Sequence, residues 1–197
     1  MTHGGAGIGP RDGAGGAAAG RVTPGVRVSG GAGVGGVMVR AARPEEHAEV
    51  GALTVAAYEA DGLLVADPDY VHELADAASR ASHADLLVAV TEAGELLGTV
   101  TVVTPGTPLA EISREGEVEF RMLATAPHAR GRGVGEALTR AVLARARELG
   151  ARRVVMSSLD SMKSAHRLYE RLGFKRLPER DWEPVAGFWL RAYSVDL

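Results

Sequence analysis

The segment PHARGRGVGEAL, residues 127–138, is the tightest constraint on what this chain can fold into. It sets Gly131, Gly133 and Gly135 among Arg130 and Arg132, directly before a stretch with helical periodicity. In that stretch Val134, Leu138, Ala141, Val142 and Leu149 share one face, and Gly150 supplies a stop. Glycines at a helix start leave its unpaired backbone N–H groups uncovered; with the helix's partial positive charge, these amides form a nest for an anion. Two common phosphate motifs do not fit. A Walker A loop needs Gly-Lys followed by Ser or Thr, which is missing, and a dinucleotide fingerprint needs a third glycine where Leu138 stands. The segment predicts a strand-loop-helix unit. Its amides from Gly131 through Arg132, Gly133, Val134 and Gly135 to Glu136 would face a diphosphate, with Arg130 and Arg132 as charged donors at the rim.

Elements with readable periods surround this unit. VMVRAA, from Val37, alternates like a strand, and residues 43–60 carry acids in a first helical turn followed by apolar residues at helical spacing. A second helix is expected within residues 68–81. DLLVAVTEAGELLGTVTVV is two β-rich runs joined by Glu92-Ala93-Gly94-Glu95, an antiparallel hairpin. PGTPLAEISREGE reads as a loop, VEFRMLAT as a strand ended by Pro127, and RRVVMSSL as a buried strand. A further helix from about Ser161 places Ala165, Leu168, Tyr169 and Leu172 on one face, with Gly173 behind it. FKRLPERDW and FWLRAYSVDL read as closing strands. The order β-α-α-β-β-β-α-β-α-β-β predicts one mixed-sheet α/β domain over residues 37–197. Residues 1–36 hold 14 of the 26 glycines and little apolar surface to offset the entropy of ordering, so they are expected to form a disordered tail.

Two motifs together carry a resemblance. LATAPHARGRGVGEAL is similar to the diphosphate-binding motif of the GNAT N-acetyltransferase family, with Arg130, Gly133 and Gly135 at its three defining positions. SMKSAHRLYERLGF resembles the motif that follows it in the family, with Ala165, Leu168, Tyr169, Gly173 and Phe174 in place. The two motifs span residues 118–174, and the element order extends the likeness to about 37–197. The resemblance implies a GNAT-like fold and acetyl-CoA as co-substrate. It also implies a main-chain edge at Leu123, Ala124 and Thr125 for the pantetheine arm, and Tyr169 beside the leaving sulfur as general acid. Glu119, eleven residues before Arg130, falls where some members carry a glutamate general base. On a regular strand Glu119, Arg121, Leu123 and Thr125 would share one face, making Arg121 the alternative partner of Glu119. One position departs from the pattern. Met162 stands where the family often has Asn, leaving Asp160 or Ser161 to cap the helix.

Charge and composition bound the partners. Residues 45–95 hold twelve Asp and Glu against the single cation Arg80, whereas residues 117–180 hold seven acids against fourteen Lys and Arg. The basic half suits a multiply negative coenzyme A, and the acidic half favours a cationic amine, either a small molecule or a peptide. Basic residues without interleaved aromatics, in a chain of net charge −3, count against nucleic acid. Cysteine is absent and no histidine pair has ligand spacing, so no metal site is expected. No run of 18 apolar residues and no secretory leader are readable, which makes the cytoplasm the default compartment. A homodimer stays open. The expected function is direct acetyl transfer from acetyl-CoA to a primary amine in a ternary complex. A non-catalytic acyl-CoA-binding module of the same fold is the alternative.

Overall fold

The β-rich runs and the helically spaced segments between them form one eight-stranded sheet with helices on both faces. The computed structural model describes residues 36–64 and 69–197; the glycine-rich tail lies outside the described residues apart from Gly36. In chain order the elements are β1 (Met38–Ala41), α1 (His47–Ala60), α2 (Tyr70–Ala75), α3 (Ala77–His83), β2 (Asp85–Val90) and β3 (Leu96–Val103). They continue with β4 (Glu117–Thr125), α4 (Val134–Glu148), β5 (Arg153–Leu159), α5 (Lys163–Arg171), β6 (Lys175–Arg176), β7 (Trp182–Val185) and β8 (Phe188–Asp196). The strands lie side by side in the order β1-β2-β3-β4-β5-β8-β6, with β7 folded onto β8. All the pairings are antiparallel except β4 with β5.

The expected element order holds, with two refinements. The single helix expected within 68–81 is two, because Asp76 leaves helical geometry (ψ 66°) and its carboxylate accepts the Ser79 amide at 2.9 Å, starting α3 afresh. The run expected as one strand, FKRLPERDW, breaks at Pro178. A short turn from Pro178 to Arg180 separates the two residues of β6 from β7, which doubles back onto β8 through Gly187 at φ 86°.

The two faces of the sheet divide the core. Val118 and Phe120 of β4, Leu138 and Val142 of α4, and Tyr169 of α5 belong to the larger cluster. Val50 of α1, Ala77 of α3, and Leu86 and Val88 of β2 form a second cluster on the opposite face. On that face α1 and α2 approach closely at Gly51, where an added Cβ would collide with the carbonyl oxygen of Ala75.

Candidate active site

The site begins where the sheet comes apart. β4 and β5 pair only from Glu117 opposite Arg153 to Glu119 opposite Val155; beyond that, both strands continue without pairing to each other. The edge of β4 that faces β5 is thus left with no strand partner from Phe120 to Thr125. On its other edge β4 carries a bulge, because Thr99 faces Ala124 but Thr101 faces Arg121, setting two residues of β4 against Val100. Met122 absorbs the extra residue at φ 51°, the only described non-glycine residue with positive φ.

The bulge overturns the expectation that Glu119, Arg121, Leu123 and Thr125 share a face. Arg121 points toward α2, 3.5 Å from the Tyr70 hydroxyl and 3.3 Å from Glu73. Leu123 and Thr125 turn to the other side, reaching 3.9 and 3.8 Å from the Cβ position of Gly135 in α4. One extra residue shifts the two-residue period by a full face.

On the α4 side of the split lies a cavity of about 350 Å³. Leu123, Ala124 and Thr125 form one wall, Arg130 and Gly135 the α4 end, and Tyr169 the floor on α5. Gly131 and Gly133 hold φ values of 74° and 79°, curling the loop into α4. None of the six amides from Gly131 to Glu136 meets an acceptor among the described residues. Those amides, at the positive end of a fifteen-residue helix, are chemically suited to a diphosphate. The two expected arginines differ from each other. Arg132 is exposed, whereas Arg130 reaches across to the end of α1, pairing with Asp61 at 3.1 Å and donating to the Ala57 carbonyl at 3.3 Å. Glu136 turns its carboxylate to Arg140 at 2.8 Å.

Tyr169 is 2% exposed and stands in an aromatic cluster, its ring centroid 5.8 Å from those of both Phe120 and Phe174. Burial pushes its phenol above the ordinary range. Its hydroxyl has no hydrogen-bond partner among the described residues. The expected cap on α5 is absent: Met162 holds the cap position without a side-chain bond, and Asp160 instead pairs with Arg191 at 2.9 Å. Ser161, Lys163 and Ser164 also line this cavity, a contribution from the start of α5 that residue type alone did not reveal.

A second chamber of about 170 Å³ opens on the other side of the split and shares Tyr58, Leu63 and Met162 with the first. Its walls are mostly apolar. Trp182 lines it and donates to the Ser157 hydroxyl at 3.2 Å. From the acid-rich segment come Tyr58, Leu63 and Tyr70, with no carboxylate among the described residues of residues 45–95. The chamber's acid is one that the sequence reading missed, Glu111, in the loop before β4. Burial pushes Glu111 up to about 7, against the pull of Arg121 2.5 Å away and with Glu119 and Glu73 adding to the rise. Its side chain is 24% exposed, so the chamber can reach it.

Glu119 has different surroundings. It is fully buried, its Oε2 accepts the amides of Glu111, Ile112 and Ser113 at 3.0, 3.1 and 3.1 Å, and its Oε1 is buried without a partner among the described residues. It lines neither cavity, and Arg121 pairs with Glu111 and Glu73 rather than with it. Arg180 holds the same loop from the other side by donating to the Ile112 carbonyl at 3.0 Å. An irregular loop is thereby fixed at the residue that carries Glu111.

Comparison with known proteins agrees with this geometry. Residues 51–174 match the acetyltransferase (GNAT) family. An uncharacterized N-acetyltransferase of Schizosaccharomyces pombe is 34% identical over 93 residues, which is 47% of this chain and 53% of that protein, so the match spans about half of that relative's length. A GNAT-family acetyltransferase from Staphylococcus aureus has the same fold at a TM-score of 0.65 and 14% identity, covering 82% of this chain and 99% of that one. A GNAT-family acetyltransferase from Brucella melitensis, solved in complex with acetyl-CoA, is 25% identical at a TM-score of 0.54, covering 82% of this chain and 90% of the other. With a match running from α1 to the glycine and phenylalanine behind α5, across a sheet split beside a glycine-lined helix start, the chain belongs to the GNAT acetyltransferase family.

Proposed function

We propose that this protein transfers an acetyl group from acetyl-CoA to a primary amine by direct attack. One observation carries the reading: two cavities, one lined by the open edge of β4 and by Gly135 at a helix start whose amides have no acceptor among the described residues, the other by a carboxyl group titrating near neutrality, meet at Tyr58, Leu63 and Met162 beside the split in the sheet. The Brucella melitensis relative holding acetyl-CoA supports the choice of co-substrate.

When bound, acetyl-CoA supplies the activated thioester, and the chain supplies position and protons. The amides from Gly131 to Glu136 fit its diphosphate, with Arg132 and Lys163 adding charge at the rim. The open edge of β4 at Leu123, Ala124 and Thr125 is suited to the pantetheine arm, which can hydrogen-bond there as a strand would. An amide on that edge directed at the thioester carbonyl serves as oxyanion donor. Tyr169 hydrogen-bonds to the departing sulfur. Its raised pKa makes full proton transfer steeper than the reference values of about 10 and 8.5 imply, so the proton moves as the bond to sulfur breaks.

The incoming amine arrives as an ammonium ion and must lose a proton before it attacks. Glu111 takes that proton in this reading. It lines the acceptor chamber, whereas Glu119, the sequence-based candidate, acts from one layer behind: it pins the three amides that begin with Glu111's own. The test is release of free thiol from acetyl-CoA in the presence of a panel of primary amines. Thiol release that depends on the amine supports the proposal. Acetyl-CoA binding without release for any amine would favour the non-catalytic module.

A further inference from the structure

The acceptor chamber draws on the chain's aromatic residues out of proportion to their number. Of nine Phe, Tyr and Trp residues in the sequence, five line it: Tyr58, Tyr70, Phe120, Trp182 and Phe188. They come from α1, α2, β4 and both arms of the β7–β8 hairpin, so no single amphipathic element accounts for the clustering. The Tyr58 and Tyr70 rings lie 6.2 Å apart, and the bond from Trp182 Nε1 to Ser157 fixes the indole. An apolar cavity of about 150 Å³ accommodates one benzene ring, so a chamber of about 170 Å³ is of single-ring size.

The charged groups narrow the choice further. Arg121 is the one cation in the described lining, and its donors are committed to Glu111 at 2.5 Å, Glu73 at 3.3 Å and the Leu109 carbonyl at 3.0 Å. A carboxylate beside the substrate nitrogen would enter a mostly apolar pocket whose one cation is already held by two carboxylates. Glu111 is the one carboxylate in that lining, enough for a single ammonium and not for a chain of them.

From this chamber we infer that the acceptor is a monoamine on an aromatic or comparably bulky apolar body, with no carboxylate next to the amine. The inference rests on the proposed acetyl transfer for its chemistry, but the chamber's preference is measurable without turnover. The experiment titrates 2-phenylethylamine, phenylalanine and spermidine into the full chain by calorimetry, with and without saturating CoA.

The expected result is 2-phenylethylamine binding at least about tenfold more tightly than the other two, the discrimination that an unpaired polar group in an apolar pocket imposes. Trp182→Ala is expected to weaken 2-phenylethylamine by about tenfold, as loss of an aromatic wall does, and to leave CoA affinity within about twofold. Equal or tighter binding of spermidine or phenylalanine would overturn the inference. So would loss of CoA affinity in Trp182→Ala alongside unchanged amine affinity. Absence of CoA binding with the amine preference intact would instead overturn the acetyltransferase reading and leave the chamber assignment standing.

Discussion

Tyr169→Phe separates chemistry from packing because the structure makes the two consequences differ in size. The ring holds its place through Phe120 and Phe174, each at 5.8 Å, and Tyr193 at 6.5 Å, and phenylalanine keeps all three contacts. Removing the whole side chain would cost about 3–5 kcal/mol and confuse folding with function. Removing the hydroxyl alone leaves no described group unpaired, so the expected stability change is below about 1 kcal/mol. A positioned proton donor is worth roughly a hundredfold or more in rate, or about 2.7 kcal/mol. Three measurements on one variant decide the matter: kcat from thiol release, acetyl-CoA affinity by calorimetry, and the thermal midpoint. The expected outcome is kcat lower by about a hundredfold with affinity and midpoint nearly unchanged. A parallel decline in all three, or an unchanged kcat, would refute the assignment and make Tyr169 a packing residue.

Four further outcomes follow from the same geometry. Gly133→Val places a β-branched residue at φ 79°, a strain of about 1–2 kcal/mol, and disturbs the amide curl; losing two charge-assisted bonds lowers acetyl-CoA affinity by roughly a hundredfold, read by calorimetry. Because Glu111 must be ionised to accept a proton, kcat/KM should rise through pH about 7, and Glu119→Gln, by removing a nearby negative charge, should move that rise to lower pH; an unmoved limb would contradict the coupling. The same raised pKa means that the folded chain keeps a proton the unfolded chain releases, so Glu111 makes stability fall as pH rises from the ordinary carboxylate range to about 7. Gly51→Ala forces a methyl group into the Ala75 carbonyl and should lower stability by about 1–3 kcal/mol in denaturant melts, with no direct effect on acetyl-CoA affinity.

What the sequence showed and what it concealed divide along physical lines. Helix α4 was readable because its apolar spacing, leading glycines and trailing Gly150 agree with one another, and α5 because Ala165, Leu168 and Tyr169 share a stripe ahead of Gly173. The hairpin of β2 and β3 was readable from its two β-rich runs and from Gly94 between them, which sits at φ 90°. The bulge at Met122 was not, since nothing about methionine marks a positive φ, and a bulge inverts every face assignment after it. Glu111 escaped notice for another reason. It sits in a loop with no period, and its neutral-range pKa arises only when folding brings Arg121, Glu119 and Glu73 around it. Glu119 sat at a recognisable position, but its role depends on the amides of Glu111, Ile112 and Ser113, which no local pattern announces.

The central claim, that the amides at the start of α4 hold the diphosphate of acetyl-CoA, can be read residue by residue. Titrating isotope-labelled protein with CoA while recording amide proton and nitrogen shifts reports on each N–H from Gly131 to Glu136 separately. The account predicts that these six signals move furthest and saturate together, downfield as unpaired amides acquire an anionic acceptor. Saturable CoA binding that leaves them in place while perturbing amides elsewhere would contradict it.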